Sequence, residues 1–162
     1  MAVPKRRANI AGTYFVTSRT WESRAVFKMQ QPCEIFVEAI FNYRDQGKYK
    51  LHGFVLMPEH FHMILTPGAE LSVERAVQFV KGGSARRIGL ELNYKFPVWQ
   101  RGFSDHRIRD ARDYSDHMNY LEQNPVKRRL VERASEYRWS SASGAFVMDD
   151  VPQGLKPLGE LR

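Results

Sequence analysis

The stretch HGFVLMPEHFHMIL, residues 52–65, decides the fold because it has the pattern of two apolar strands with a short connection. Residues 50–57 and 61–66 are dominated by large apolar side chains, and their lengths are typical of strands. Pro58 and Glu59 lie between them and leave room only for a tight connection. The stretch therefore predicts two consecutive strands joined by a tight connection.

Elements on the N-terminal side and just after this stretch follow from local patterns. The segment TYFVTS, residues 13–18, is rich in β-branched and aromatic residues and predicts a strand. A first helix is expected from Pro32, with apolar residues at helical spacing and Gly47 at its end. A second helix is expected from Ser72, which can cap it. The pair Gly82-Gly83 should end or kink that second helix.

The C-terminal half supplies one more strand and one more helix. Residues 97–108 contain a strand, and Asp110 can cap a helix that runs to about Asn124, where Pro125 makes continuation unfavourable. The order of elements predicts an α+β fold: a ferredoxin-like βαββαβ antiparallel sheet with helices on one face, plus a C-terminal helix. The other face of the sheet is expected to stay open, so that a ligand can use it.

Two histidines in the decisive stretch are candidate metal ligands. Side chains alternate along a strand, so His60 and His62 share one face, whereas Phe61 and Met63 share the other and should enter the core. Two imidazoles at this spacing can hold one ion. A histidine pair of this kind is short enough to occur by chance, so its interpretation depends on the rest of the chain.

The predicted helix 110–124 carries a tyrosine away from its apolar stripe. The stripe consists of Tyr114, Met118 and Leu121. At about 100° per residue, Tyr120 lies roughly 160° around the helix from Met118, and His117 and Asn124 lie within about 60° of Tyr120. Tyr120 is therefore a candidate for chemistry, with His117 as a group that could move a proton near it.

The histidine pair and the tyrosine fit one reaction type. A tyrosine hydroxyl has an ordinary pKa near 10 and is a weak nucleophile at neutral pH. Attack on a phosphodiester builds negative charge, which a divalent cation held by His60, His62 and an amide oxygen would offset. Imidazole and amide ligands favour Mn²⁺ over Mg²⁺ in affinity, although abundant Mg²⁺ could also serve.

Composition and charge favour a nucleic-acid partner. The chain of 162 residues has a net charge of +7, with basic residues concentrated in residues 1–31, 71–109 and 125–138, on either side of both candidate segments. The length predicts a single domain over residues 1–162.

The single cysteine excludes an internal disulfide. The sequence shows neither an apolar run long enough to span a membrane nor a secretory signal. A cytoplasmic, nucleoid-associated protein is therefore expected.

Four blocks of the sequence, in a fixed order, resemble the REP-associated tyrosine transposases. The blocks are GTYFVTSRT, HGFVLMPEHFHMIL, WQRGFSDHRIRD and YLEQNPVKRRLV, and within them PEHFH resembles the histidine–hydrophobe–histidine (HUH) motif of single-strand DNA nucleases. The resemblance implies that His60, His62 and Asn124 hold a divalent cation, Mg²⁺ or Mn²⁺. It also implies that Tyr120 forms a covalent 5′-phosphotyrosine, leaving a free 3′-hydroxyl on hairpins formed by repetitive extragenic palindromes (REP).

Basic residues along the chain are expected to contact the phosphates of the single-stranded DNA hairpin. The candidates are Lys81, Arg86, Arg87, Arg101, Arg107, Lys127, Arg128 and Arg129.

Two alternative functions remain: a non-catalytic nucleic-acid-binding module with the same fold, and a metal-dependent hydrolase in which water is the nucleophile. The enzyme could act as a monomer or a homodimer.

Overall fold

The computed structural model of the protein describes residues 12–156, and its centre is a four-stranded antiparallel sheet. The strands are β1 (Tyr14–Arg19), β2 (Tyr49–Met57), β3 (His60–Pro67) and β4 (Ser104–Arg107). Their order across the sheet is β2–β3–β1–β4, with β3 and β1 in the middle. This is the ferredoxin-like order, and it confirms the fold class predicted from the sequence.

Helices α1 (Gln30–Asp45) and α2 (Val73–Glu91) cover one face of the sheet. The larger apolar core lies beneath them and contains Phe61 and Met63 of β3, as the alternation predicted. Helix α3 (Ala111–Lys127) packs on the opposite face over a smaller core that includes Ile64 and Leu121. The face expected to stay open is therefore partly covered, because the apolar stripe of α3 needs a partner surface.

The pair Gly82-Gly83 does not end α2, which is a correction to the sequence-based expectation. Ser72 caps the helix as predicted, with its Oγ accepting from the Arg75 backbone N–H at 3.1 Å, but the helix continues to Glu91. A Cβ atom at Gly83 would lie 2.2 Å from the Tyr43 hydroxyl oxygen. Glycine leaves room for the Tyr43 ring between α1 and α2, which a larger residue would displace, and the helix tolerates the lower propensity.

Helix α3 also runs further than expected. Asp110 caps it, with Oδ1 accepting from the Asp113 backbone N–H at 2.8 Å. The helix then continues through Pro125 to Lys127. Hydrogen bonds close the turns that follow the proline: Arg128 donates to the Asn124 carbonyl at 3.0 Å and Leu130 to the Pro125 carbonyl at 2.9 Å. The cost of the proline is therefore confined to one lost donor in the last turn.

The chain after α3 folds back on the outer strand of the sheet. Leu56 of β2 donates its backbone N–H to the Trp139 carbonyl at 2.8 Å, and Val55 and Ser140 form an isolated antiparallel bridge. Up to residue 156, three short single-turn helices interrupt this otherwise irregular segment. None of the helices in residues 12–156 combines the length and the apolar character needed to cross a bilayer.

Candidate functional site

Strand β3 and helix α3 form the walls of a cavity of about 740 Å³ that contains the candidate residues. The lining residues are Phe15, Thr17, Arg19, His60, His62, Ser104, Asp116, His117, Tyr120, Asn124, Lys127 and Arg128. The rings of His60 and His62 are 4.7 Å apart between centroids, and both side chains are buried. The structure thus brings together the four residues selected from two segments about sixty positions apart: His60, His62, Tyr120 and Asn124.

Hydrogen bonds to the Nδ1 atoms orient both imidazoles. His60 Nδ1 lies 2.9 Å from a carboxylate oxygen of Glu59, so Nδ1–H donates to it and Nε2 keeps its lone pair. His62 Nδ1 lies 2.7 Å from the hydroxyl oxygen of Thr17, while its Nε2 lies 3.4 Å from the amide nitrogen of Asn124. This network leaves Nε2 as the acceptor on both rings, the arrangement usual for histidines that ligate metals.

Both imidazoles are held in the neutral form that metal ligation requires. Burial lowers the pKa of His62 to about 3, with further contributions from the neighbouring His60 and Arg19. Burial also lowers the pKa of His60, although the hydrogen bond to Glu59 opposes the shift. At neutral pH each ring therefore offers a lone pair without first losing a proton.

The side-chain amide of Asn124 carries the third candidate donor atom, Oδ1, although its Nδ2 is the atom that faces His62 Nε2, so ligation requires the amide to turn over. Its Oδ1 is buried and has no hydrogen-bond partner within the described residues. An unpartnered buried acceptor costs free energy, which a bound cation would recover. Two neutral imidazole nitrogens and one amide oxygen fit a divalent cation, because all three are uncharged donors that leave positive charge available to an anionic substrate.

Tyr120 lies at the exposed side of the cavity that contains these donor atoms. Its ring meets that of His62 edge-on at 5.5 Å between centroids, and 46% of the residue surface is exposed. By contrast, Tyr114 and Leu121, which belong to the predicted apolar stripe of α3, are buried beneath the helix. The Lys127 ammonium lies 5.5 Å from the centre of the Tyr120 ring. The tyrosine is thus accessible to a large substrate, on the side of α3 that the helical wheel predicted.

Strand β1 contributes residues that sequence reasoning missed. Antiparallel pairing places Thr17 opposite His62 and Arg19 opposite His60, and the ring of Phe15 stacks on His62 at 5.1 Å. Alternation along the strand predicts that the three β1 residues share a face. Alternation does not show which strand they pair with or in what register. The sequence therefore predicts their common face but not their position beside the two histidines.

Glu59, which the sequence suggested only as part of a connection, holds two site residues together. One of its carboxylate oxygens, Oε1, accepts from His60 and, at 2.9 Å, from the Arg128 guanidinium. These two partners lower the pKa of Glu59 below its ordinary value, although burial by itself raises it. The carboxylate is therefore ionised at neutral pH and fixes the end of α3 against the start of β3.

The predicted phosphate contacts fall into distinct surroundings. Lys127 and Arg128 line the cavity, and Arg101 lines a neighbouring hollow together with Arg19. Lys81 instead donates to the backbone carbonyls of Gln100 and Gly102, and Arg87 pairs with Glu38 and Glu91. The remaining candidates, Arg86, Arg107 and Arg129, are exposed.

Comparison with known proteins identifies the family. The family described as "Transposase IS200 like" matches residues 4–124, three quarters of the chain, including His60, His62, Tyr120 and Asn124. The chain belongs to this family. A REP-associated tyrosine transposase of Escherichia coli K12 is 28% identical over 148 residues, which are 91% of this chain and 83% of the relative. The resemblance inferred from the four sequence blocks is thereby confirmed, and the family is broadly one of DNA-cleaving enzymes.

Two solved structures share the fold of this IS200-like chain. A REP-associated tyrosine transposase bound to a REP hairpin has a TM-score of 0.71 and 24% identity, with 98% of this chain and 95% of that chain covered. A candidate transposase of Deinococcus radiodurans R1 has a TM-score of 0.53 and 16% identity, with 75% and 97% covered. At these identities the two structures support the mixed fold of sheet and helices.

Proposed function

We propose that this chain is a metal-dependent endonuclease and strand transferase that acts on REP-type hairpins of single-stranded DNA through Tyr120. One observation carries the proposal: the exposed Tyr120 ring stands edge-on to the neutral imidazole of His62. Asn124, whose buried Oδ1 has no partner among residues 12–156, lines the same cavity. A tyrosine that served only packing would be expected on the buried stripe of α3. The DNA substrate is carried over from the relative whose structure contains a REP hairpin.

In the proposed reaction the Tyr120 hydroxyl oxygen attacks a backbone phosphorus. A bond forms between phosphorus and the tyrosine oxygen, the bond between phosphorus and the 3′ oxygen breaks, and the tyrosine proton is lost. The departing 3′ oxygen takes up a proton and becomes a free 3′-hydroxyl, while the 5′ phosphate stays on the protein. Attack of a 3′-hydroxyl on this phosphotyrosine reverses the step and joins strands.

His60, His62 and Asn124 are the residues that would hold a divalent cation, Mg²⁺ or Mn²⁺. Such a cation would supply a positive charge that offsets the charge developing on the phosphoryl oxygens. The chain itself orients the ligands through Glu59 and Thr17. It also keeps both imidazoles neutral by burial, so that neither repels the cation.

Basic side chains around the cavity would hold the DNA backbone. Arg19, Lys127 and Arg128 line the cavity together with Tyr120, and a phosphate within it would meet positive charge from β1 and from the end of α3. Tyr120 and His62 of one chain are in contact, which supports a monomer as the catalytic unit, with a homodimer as the alternative. An enzyme acting on chromosomal hairpins would work in the cytoplasm at the nucleoid.

The test uses a labelled single-stranded REP-type hairpin incubated with the protein and Mn²⁺ or Mg²⁺ and separated on a denaturing gel. A metal-dependent, slowly migrating covalent band is expected, and Tyr120→Phe should abolish it while preserving hairpin binding. Tyr114→Phe is the matched control, because this tyrosine lies on the same helix but is buried. Cleavage without an adduct would assign attack to water, and binding without cleavage in either metal would favour a non-catalytic module.

A further inference from the structure

A second group of ligand-bearing side chains lies where β4 meets α3. His106 belongs to β4, and Asp113 and His117 belong to the first half of α3. The two imidazoles stack with centroids 4.5 Å apart and planes inclined by 16°. The Asp113 carboxylate lies between them, 2.8 Å from His106 Nε2 through one oxygen and 3.1 Å from His117 Nδ1 through the other.

These atoms lie close enough together that short side-chain movements would bring them into one coordination sphere. One nitrogen from each histidine and a carboxylate oxygen all lie within 4.8 Å of one another. Bonds of about 2.0–2.1 Å at tetrahedral angles place neighbouring ligand atoms roughly 3.4 Å apart. Asp113 and His117 are four residues apart on one helix, so the backbone already holds both on the same face.

We propose that His106, Asp113 and His117 form a second metal site, which takes a transition-metal ion of the zinc class. Two imidazoles and one carboxylate are the protein ligands of many zinc sites, and they leave one position for water. Nitrogen-rich ligation favours Zn²⁺ over Mg²⁺ and Mn²⁺. This inference does not depend on the proposed function, because none of the three residues belongs to the set His60, His62 and Asn124.

An ion would replace hydrogen bonds that now hold this group, because His117 Nδ1 also lies 2.8 Å from the backbone carbonyl oxygen of Asp113 and must lose its proton to ligate. The carboxylate and the exposure of the histidines favour that exchange. Hydrogen bonds from the Arg109 backbone and from His106 hold the pKa of Asp113 below its ordinary value, although burial by itself raises it, so the carboxylate is ionised. The side chains of His106 and His117 are 38% and 27% exposed, which gives an ion access from solvent. The Arg109 guanidinium lies 3.6 Å from Asp113 but is 78% exposed, so it can turn away into solvent.

The second group is separated from the first by one aromatic ring. Phe15 contacts His117 at 4.9 Å and His62 at 5.1 Å between centroids, and it therefore stands between the two histidine pairs. His117 lines the same cavity as Tyr120. An ion bound by this group would link the edge strand β4 to the helix that carries Tyr120, and it would add positive charge to the cavity wall.

The histidine content makes the proposal simple to test. The chain has five histidines, and four of them form the two pairs. The fifth, His52, is buried in β2 with Nε2 2.8 Å from the Thr66 hydroxyl and Nδ1 3.4 Å from the Asp149 carbonyl. Imidazole ligation of an added ion can therefore be assigned by removing one pair at a time.

The experiment titrates the untagged, metal-free full chain with Zn²⁺ by calorimetry, and with Co²⁺ while its visible spectrum is followed. The wild-type protein is expected to bind two equivalents. The double variant His60→Gln with His62→Gln should keep one equivalent and a melting temperature that rises with Zn²⁺. The double variant His106→Gln with His117→Gln should also bind one equivalent.

The proposal is overturned if the variant lacking His60 and His62 binds no Zn²⁺ or Co²⁺. It is equally overturned if removing His106 and His117 leaves the stoichiometry of the wild type unchanged. Circular dichroism of each metal-free variant checks folding. The single substitution His106→Gln, on a partly exposed edge-strand residue, provides a milder variant that should weaken binding at this site at least tenfold without loss of the fold.

Discussion

Replacing Asn124 with leucine should make the metal-free protein more stable while it removes activity. Leucine has the branching of asparagine and the same number of side-chain heavy atoms, and the cavity that Asn124 lines has room for its bulkier methyl groups. The substitution removes a buried acceptor that has no hydrogen-bond partner among residues 12–156. A residue retained for packing would be expected to show the opposite behaviour, since most substitutions of buried residues destabilise.

The magnitude follows from three contributions. An unsatisfied buried polar group costs about 1–3 kcal/mol, and this cost disappears. Leucine is a better helix former than asparagine by roughly 0.5 kcal/mol. Against these gains, the contact between the amide nitrogen and His62 Nε2 is lost, but at 3.4 Å it is long and worth at most about 0.5 kcal/mol. The net stabilisation is about 1–3 kcal/mol, which for a chain of this size raises Tm by roughly 2–12 °C.

The assay is urea unfolding followed by circular dichroism, with a chelator present, on the wild type, Asn124→Leu and Asn124→Asp. The aspartate variant is the matched control because it keeps an oxygen at the same place but adds a buried charge. It should be less stable than the wild type without metal and should recover stability with Mn²⁺. A leucine variant destabilised by more than about 1 kcal/mol would refute the reasoning, because the amide oxygen would then have a stabilising partner.

Three further outcomes test other parts of the structure. Gly83→Ala should be about 1–3 kcal/mol less stable than Gly82→Ala in thermal unfolding. Both variants gain helix propensity, but only the Cβ at Gly83 would overlap a tyrosine of α1, whereas Gly82 has open space around it. Glu59→Gln should lower the Mn²⁺ affinity about 10–100-fold in calorimetry, because it weakens the orienting bond to His60. Burial lowers the pKa of His62 to about 3, while a histidine in the unfolded chain titrates near 6.5. The free energy of unfolding should therefore fall as pH drops from 6.5 toward 3, by about 2 kcal/mol at pH 5. In urea unfolding at a series of pH values, His62→Gln should remove this contribution to the pH dependence.

The parts of this molecule that sequence predicted are those governed by local periodicity. Alternation placed His60 and His62 opposite the core-facing Phe61 and Met63, because successive side chains of a strand point to opposite faces. The helical wheel likewise placed Tyr120 off the buried stripe of α3.

The features that sequence did not predict depend on tertiary contacts. Thr17 meets His62 only because β1 pairs with β3 in one register, and a shift of one residue would turn every β1 side chain to the other face. Gly83 was expected to interrupt α2, yet its role is set by Tyr43 of the facing helix. Pro125 was expected to end α3, yet neighbouring hydrogen bonds sustain the last turn.

The central claim, that Tyr120 is the nucleophile, can be measured directly on the covalent adduct. Tryptic digestion should release the peptide of residues 113–127, which contains both Tyr114 and Tyr120. After nuclease trimming, fragmentation mass spectrometry of this peptide should place the nucleotide mass on Tyr120 and on no other residue. The same mass on Tyr114, on a different peptide, or on none despite complete cleavage of the hairpin would contradict the account.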